Sequence, residues 1–161
     1  MANLRTGIGF DAHRFAQGRP LILGGTVVLH SKGLAGHSDA DVLTHAIIDA
    51  LLGAAALRDI GFHFPSTDPQ YKDVSSLLLL RKCLDLLKKQ GWQPSNVDAT
   101  IVAQEPHLAT HIESMCKTLS EALGIPLGQV SIKATTSDGM GFTGRGEGIA
   151  AMAIALIEIS P

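Results

Sequence analysis

The sequence predicts an α/β (α+β) fold: one mixed β-sheet with helices packed on one face. Three observations carry this. Apolar residues recur at helical spacing in three separate stretches. Other stretches alternate apolar and polar residues with the period of a strand. Aromatics make up only 4% of the 161 residues, so the core must be built from Leu, Ile, Val and Ala. A chain of this length favours one domain, residues 1–161.

In chain order, Leu4 to Phe10 reads as a strand broken by glycines. Leu21 to Leu29, with Gly24-Gly25 inside, reads as a bent strand or a hairpin. Ser38 to about Leu57 reads as a helix. Ser38 and Asp41 give it a capping-box pattern, and Leu43, Ile47, Ala50, Leu51 and Ala54 form its stripe. Asp59 to Tyr71, rich in Gly, Pro, Ser and Asp, reads as a loop.

Val74 to Gln90 reads as a second helix, with Leu77, Leu80, Leu84 and Leu87 on one face and Gly91 as its stop. Val97, Ala99, Ile101 and Ala103 alternate as a strand. Thr110 with Glu113 opens a third helix, whose face is Ile112, Met115, Leu119 and Leu123 and whose end is Gly124. Val130, Ile132 and Ala134 alternate again. Ile149 to Ile159 is apolar throughout, and its isoleucines and preceding glycines favour a strand. Sheet and helices together make a two-layer sandwich.

Formal net charge is −2 and no basic tract is present, so the electrostatic footprint of nucleic-acid binding is missing. Cys83 and Cys116 sit among apolar neighbours in helical patterns and read as buried free thiols. The start, Met1-Ala2-Asn3-Leu4-Arg5, has neither signal-peptide nor transit character. The longest apolar run is too short to span a bilayer. The expected protein is soluble and resides in a reducing compartment.

The chemistry begins at Asp11-Ala12-His13, at the end of the first strand-like run. Side chains two apart leave one face of a strand together. With His45, placed two turns inside the first helix, they supply one carboxylate and two imidazoles. That is the three-ligand set of an open, catalytic zinc site. Lys133-Ala134-Thr135-Thr136-Ser137-Asp138-Gly139, then Phe142-Thr143-Gly144-Arg145-Gly146-Glu147-Gly148, reads as a Gly-rich turn between strands or as hydroxyls, a carboxylate and glycines gathered at the exit of a strand to bind phosphate. Hydroxyls and exposed backbone N–H groups bind phosphate, and the carboxylate suits a hard cation such as Mg²⁺. Asp59-Ile60-Gly61 and Phe64-Pro65-Ser66-Thr67-Asp68 read as an ordinary loop or as a flap that holds a polyol. Ala103-Gln104-Glu105-Pro106-His107-Leu108-Ala109 reads as a connection or as a backbone-lined pocket for a flat ring. Zinc beside a phosphate and Mg²⁺ site suggests phosphoryl transfer. No P-loop, Rossmann fingerprint or nucleophile elbow is present.

Together these motifs resemble the 2-C-methyl-D-erythritol 2,4-cyclodiphosphate synthases of non-mevalonate isoprenoid biosynthesis. The resemblance runs from Gly9-Phe10-Asp11-Ala12-His13 through Gly36-His37-Ser38-Asp39-Ala40-Asp41 to Gly144-Arg145-Gly146-Glu147-Gly148. It implies a homotrimer with active sites between subunits. It implies that 4-diphosphocytidyl-2-C-methyl-D-erythritol 2-phosphate is cyclised with release of CMP, a lyase reaction. By the same resemblance Asp11, His13 and His45 hold one Zn²⁺ per subunit. His37 and Thr136 are catalytic, and Ser38 joins His37 on the substrate phosphate. Asp11, Ala12 and His13, with Asp59 to Gly61 and Phe64 to Asp68, contact the substrate's erythritol and phosphate end. Ala103 to Ala109 with Ala134 and Thr135 take the cytidine. Thr136, Ser137 and Asp138 lie at the diphosphate, with Asp138 on Mg²⁺ or Mn²⁺. Phe10, Phe142 and Arg145 line an axial cavity that takes an isoprenoid-like diphosphate.

Two positions depart from the family. Asp138 replaces the usual Glu, and His107 stands where many members have Lys. The resemblance also implies a bacterial cytoplasm, or a plastid-type organelle if a transit peptide has been removed. Rival readings are a zinc hydrolase of nucleoside diphosphate esters and a trimeric isoprenoid-diphosphate-binding regulator without turnover.

Overall fold

The computed structural model describes residues 3–160. Residues 1, 2 and 161, part of the expected domain 1–161 and of the N-terminal reading, lie outside the described residues. The strands are β1 (Leu4–Ala16), β2 (Leu21–Leu23), β3 (Thr26–Val28), β4 (Gly33–Leu34), β5 (Trp92–Val102), β6 (Val130–Thr135) and β7 (Gly148–Ile159). The helices are α1 (Val42–Ala54), α2 (Ile60–His63), α3 (Ser76–Lys89), α4 (Ile112–Leu123) and α5 (Gly141–Gly144). Five strands form one mixed sheet in the order β4-β1-β7-β5-β6, and β2-β3 is a separate hairpin. Among the described residues, only the β5–β6 pairing of the large sheet is parallel. This is the mixed sheet with helices that the sequence predicts. No helix among the described residues is long and apolar enough to cross a membrane.

The sheet has two unlike faces. On β7, Ile149, Ala151, Ala153, Ala155 and Ile157 are buried under the helices, while Met152 and Ile154 between them are exposed. On β1 the alternation continues: Gly9 is buried, whereas Ile8 and Phe10 point to the other side, 71% and 56% exposed. Ile8 lies opposite Ile154, and Phe10 opposite Met152. An apolar stripe therefore runs down the face that the helices leave open.

α1 is the central helix. It is buried almost all round, not along one stripe, because it lies between the sheet and α3. Glycines in β1 allow this. A Cβ on Gly9 would lie 1.9 Å from the Ala46 carbonyl oxygen, and one on Gly7 would lie 2.0 Å from that of Ala50. The broken strand of the sequence reading is thus one long strand whose glycines seat a helix.

Other boundaries also move. α1 starts at Val42, not Ser38, because Ala40 takes a positive φ of 59°. Asp41 is the N-cap, accepting the Thr44 N–H at 3.0 Å. Its carboxylate also accepts the Thr44 hydroxyl at 2.7 Å and the N–H groups of Gly24 and Gly25 at 2.9 and 2.7 Å. One side chain thereby ties the hairpin turn to the helix start. Burial, with the nearby Asp39 charge, pushes the pKa of Asp41 up against the Thr44 and Gly25 donors.

The 59–71 loop contains α2 and a 3₁₀ turn at Pro69–Tyr71. α3 begins at Ser76 and buries Leu79, Leu80, Cys83 and Leu87, so Leu77 and Leu84 are only half-buried. α4 buries Met115, Leu119 and Leu123 as expected, each contributing about 2 kcal/mol. Gly124 closes it in the left-handed region at φ 69°. Of the thiols expected to be buried, Cys83 is and Cys116 is half-buried.

Candidate active site

Asp11 and His13 lie within β1 rather than at its end, facing α1. His45 is the fourth residue of α1, in its first turn rather than two turns in. The seating of α1 on Gly7 and Gly9 brings the three side chains together. Asp11 Oδ2 is 2.8 Å from His13 Nε2 and 3.0 Å from His45 Nδ1, and the two nitrogens are 3.2 Å apart.

This donor set fits a divalent cation. Ligands about 2.0 Å from a tetrahedral zinc are roughly 3.3 Å from one another. The remaining ring nitrogens are anchored. His13 Nδ1 donates to the Ala35 carbonyl at 2.6 Å, and His45 Nε2 lies 2.8 Å from Ser76 Oγ and 3.1 Å from Ser38 Oγ. Such outer partners orient metal-binding imidazoles. Gly36 makes room: a Cβ there would be 3.1 Å from His13 Cε1.

Electrostatics agree. Burial raises the pKa of Asp11, but hydrogen bonds and attraction from His13 and His45 outweigh it and hold the carboxyl well below its usual range. Burial lowers that of His13, but the Asp11 carboxylate outweighs it and the net shift is upward.

The trio opens into a pocket of about 240 Å³ that is also lined by His37, Ser38, Ile60, Gly61, Phe64 and Ser66. Of the residues expected here, Ala12, Asp59, Pro65, Thr67 and Asp68 do not line it. Three of these have structural tasks nearby. Asp59 caps α2 through the Phe62 N–H at 2.9 Å, and Asp68 caps the following 3₁₀ turn. The Asp68 carbonyl accepts from His37 Nε2 at 3.1 Å. Ala12 donates its N–H to Asp11 Oδ1 at 2.8 Å.

A second pocket, about 670 Å³, is lined by Ala103, Gln104, Pro106, His107, Leu108 and Ala109 from the end of β5, and by Ala134, Thr135 and Thr136 from the end of β6. Parallel pairing places those two strand ends side by side, with Ala103 N–H donating to the Thr135 carbonyl at 3.0 Å. It shares no lining residue with the first pocket. Glu105, Ser137, Asp138, Phe142 and Arg145 do not line it. Thr136 Oγ1 donates to Asp138 Oδ1 at 3.4 Å. The Ser137 hydroxyl is committed to its own turn, donating to the Met140 carbonyl at 2.6 Å with Thr143 Oγ1 at 2.8 Å. Arg145 pairs with Glu147 at 2.6 Å on the surface.

The sequence reading passed over several supporting residues. Arg19 donates to the carbonyls of Gly36 and Ser38 and clamps their loop. Asp49 on α1 accepts the Ile60 N–H at 2.7 Å and holds α2. Tyr71 and Leu79 complete the metal-side wall. These contacts bridge distant segments, and local spacing carries no trace of them.

The pattern of the YgbB family matches residues 4–158. The chain belongs to the YgbB family. A relative from Syntrophomonas wolfei subsp. wolfei, a 2-C-methyl-D-erythritol 2,4-cyclodiphosphate synthase, is 57% identical over 155 residues, covering 96% of this chain and 99% of the relative. Among solved structures, the bifunctional IspDF of Campylobacter jejuni superposes with a TM-score of 0.95 at 37% identity, over 99% of this chain and 43% of that one. The Plasmodium falciparum IspF CDP complex has a TM-score of 0.85 at 30% identity, covering 98% of this chain and 97% of the other. As a YgbB-family fold, the chain carries its candidate metal trio and its larger pocket on opposite halves of one sheet edge order: the trio on β1 and α1, the pocket on β5 and β6.

Proposed function

We propose that this chain is a 2-C-methyl-D-erythritol 2,4-cyclodiphosphate synthase, which cyclises 4-diphosphocytidyl-2-C-methyl-D-erythritol 2-phosphate and releases CMP. One observation carries the chemistry beyond family membership. Asp11, His13 and His45 converge at a pocket wall with their other polar atoms already held. The hydrolase and regulator readings find no support among the relatives.

Zinc bound by the trio, with Mg²⁺ or Mn²⁺ at Asp138, would neutralise and polarise the diphosphate. The chain's own residues do the rest. No protein nucleophile is needed, because the substrate's 2-phosphate attacks the β-phosphorus; its second pKa is about 6, so it is largely a dianion at neutral pH. His37 and Ser38 line the metal pocket where a phosphate would lie and act on its oxygens. The Ile60–Gly61 backbone and Phe64 with Ser66 cover the erythritol end and exclude water. Ala103 to Ala109 cradle the cytosine, and Thr136 steadies the diphosphate. Holding both phosphates in one geometry supplies effective molarity.

The two pockets share no residue, which supports a site assembled from two chains. In that arrangement one chain offers the metal end and its neighbour the nucleotide end, as a homotrimer. The open stripe of Ile8, Phe10, Met152 and Ile154 is the surface the subunits bury. Phe10, with Phe142 and Arg145, then faces an axial cavity suited to an isoprenoid-like diphosphate. The test is metal analysis combined with ³¹P NMR of products from the cytidyl substrate. A cyclic diphosphate with CMP supports the reading. A linear phosphate product with CMP overturns it in favour of hydrolysis.

A further inference from the structure

We propose that Asp39 and Ser76 are positioning residues for the metal site: they hold a proton on His45 Nε2 and so leave Nδ1 as the atom offered to the ion. The inference rests on the metal reading above.

His45 turns Nδ1 toward Asp11 Oδ2 and His13 Nε2. Its Nε2 meets Ser76 Oγ at 2.8 Å, and Ser38 Oγ more loosely at 3.1 Å. Either Nε2 donates to the Ser76 hydroxyl or it accepts from it, and the geometry of that contact alone does not choose. Asp39 chooses. An ionised carboxylate has no proton to give. Its Oδ2 accepts the Ser76 N–H at 2.8 Å, and its Oδ1 accepts the Ser76 O–H in a short contact. The serine has one hydroxyl proton, and Asp39 takes it. Toward His45 the serine can only accept, so Nε2 carries a proton.

The arrangement is well insulated. Ser76 is 0% exposed and His45 only 8%, so water does not scramble the order of donors. Neither Asp39 nor Ser76 touches the ligand atoms. They come from separate places in the chain, the loop before α1 and the first residue of α3. Ser75, the N-cap of α3, makes no capping side-chain bond, so Asp39 also closes that helix end. A purely structural role as a cap is therefore the competing explanation, and the test must separate the two.

Asp39→Asn does so, because it keeps the shape and removes one acceptor. Two backbone donors face the side chain, the Ser76 N–H at 2.8 Å on Oδ2 and the Asp41 N–H at 3.2 Å on Oδ1; the closer one keeps the Asn carbonyl oxygen and turns the amide N–H toward Ser76 Oγ. The hydroxyl then donates to His45 Nε2, so the only proton left to the ring sits on Nδ1, facing Asp11, where it competes with the ion. Two readouts are taken on the full-length protein. Long-range ¹H–¹⁵N NMR of ¹⁵N-histidine-labelled, metal-free protein reports whether Nε2 of His45 is protonated. Competition with a chromogenic chelator gives zinc affinity.

The expected result is a protonated Nε2 in the wild type and an unprotonated one in Asp39→Asn, with zinc affinity lowered about 10- to 100-fold. Ser76→Ala should lose affinity on a similar scale. Adding Asp39→Asn to Ser76→Ala should cost no further affinity, since the effect travels through the hydroxyl. A folded Asp39→Asn protein with Nε2 still protonated and zinc affinity within twofold of wild type overturns the proposal. So do additive affinity losses in the double variant, which would mark Asp39 as a helix cap only. A wild type that takes up no zinc, yet shows the NMR change in Asp39→Asn, would sink the metal reading and leave the donor order standing.

Discussion

Gly9 lies against Ala46 with no room for even one more carbon, since a Cβ on the glycine would meet the alanine's carbonyl oxygen at 1.9 Å. The contact sets the height of α1 above the sheet. Two residues along β1 from Gly9 stands Asp11, and one residue before Ala46 stands His45. The spacing of the candidate metal ligands is therefore set by a backbone-to-backbone contact that no side chain can adjust.

Gly9→Ala should destabilise the protein by about 3 kcal/mol, because backbone cannot yield as a flexible side chain does. It should also weaken zinc binding by separating Asp11 from His45. Denaturant unfolding and a zinc titration check both. A variant of wild-type stability would show that α1 shifts freely.

His45→Ala should remove stoichiometric zinc and reduce activity below about 1% of wild type, a larger loss than outer-shell changes give. The chain should stay folded, because Ile47, Ile48, Leu51 and Leu52 anchor α1. Metal analysis with circular dichroism decides it. Zinc retained at one per chain would end the ligand assignment.

If Asp138 holds Mg²⁺ as the resemblance implies, Asp138→Glu should keep activity and lower the Mg²⁺ concentration needed for half-saturation, since the longer carboxylate reaches further toward the ion. The structure adds a cost. Asp138 has φ 52° and is followed by Gly139 at 77°, a left-handed pair that suits Asp-Gly. Stability should fall by about 1 kcal/mol, because Glu lacks the short side chain that lets Asp adopt the left-handed conformation. A higher Mg²⁺ requirement would show that the site is adapted to the shorter acid.

Mixing and refolding Thr136→Ala with His45→Ala should restore part of the activity that each lacks alone. A mixed assembly can join an intact metal end to a neighbour's intact Thr136. Sedimentation should report a trimer throughout. Verified mixed trimers with no more activity than the parents would place both residues in a site made by one chain.

The thiols should differ in reactivity. Burial pushes Cys83 up to about 12, while Cys116 is half-buried with a smaller rise that is also due to burial. The thiolate is the reactive form, and at pH 8 Cys83 has almost none. An aromatic disulfide reagent at that pH should label Cys116 slowly and Cys83 only after unfolding. Rapid labelling of two thiols in the native protein would contradict the packing of α3.

Much of this was legible in the sequence, and the misses share a cause. The alternation of Val97, Ala99 and Ile101 and the stripe of Met115, Leu119 and Leu123 are local signals, and the structure keeps them. Asp11, His13 and His45 were recognisable as donors, and the structure brings them together. The start of α1 was misplaced because Asp41, not Ser38, gathers the capping donors, two of them from a hairpin 16 and 17 residues away. Gly7 and Gly9 looked like interruptions because the helix that needs them is some 40 residues on. Asp39 stands inside the 36–41 motif, but its bond to Ser76 spans 37 residues and leaves no local trace.

The open stripe of Ile8, Phe10, Met152 and Ile154 has a thermodynamic consequence. Whatever the chain buries there stabilises the folded form by mass action. If the occupant is another copy of the chain, the midpoint of thermal unfolding becomes a property of the solution, rising with protein concentration. Dilution then acts as a mild denaturant, and a stability quoted without a concentration has no fixed meaning.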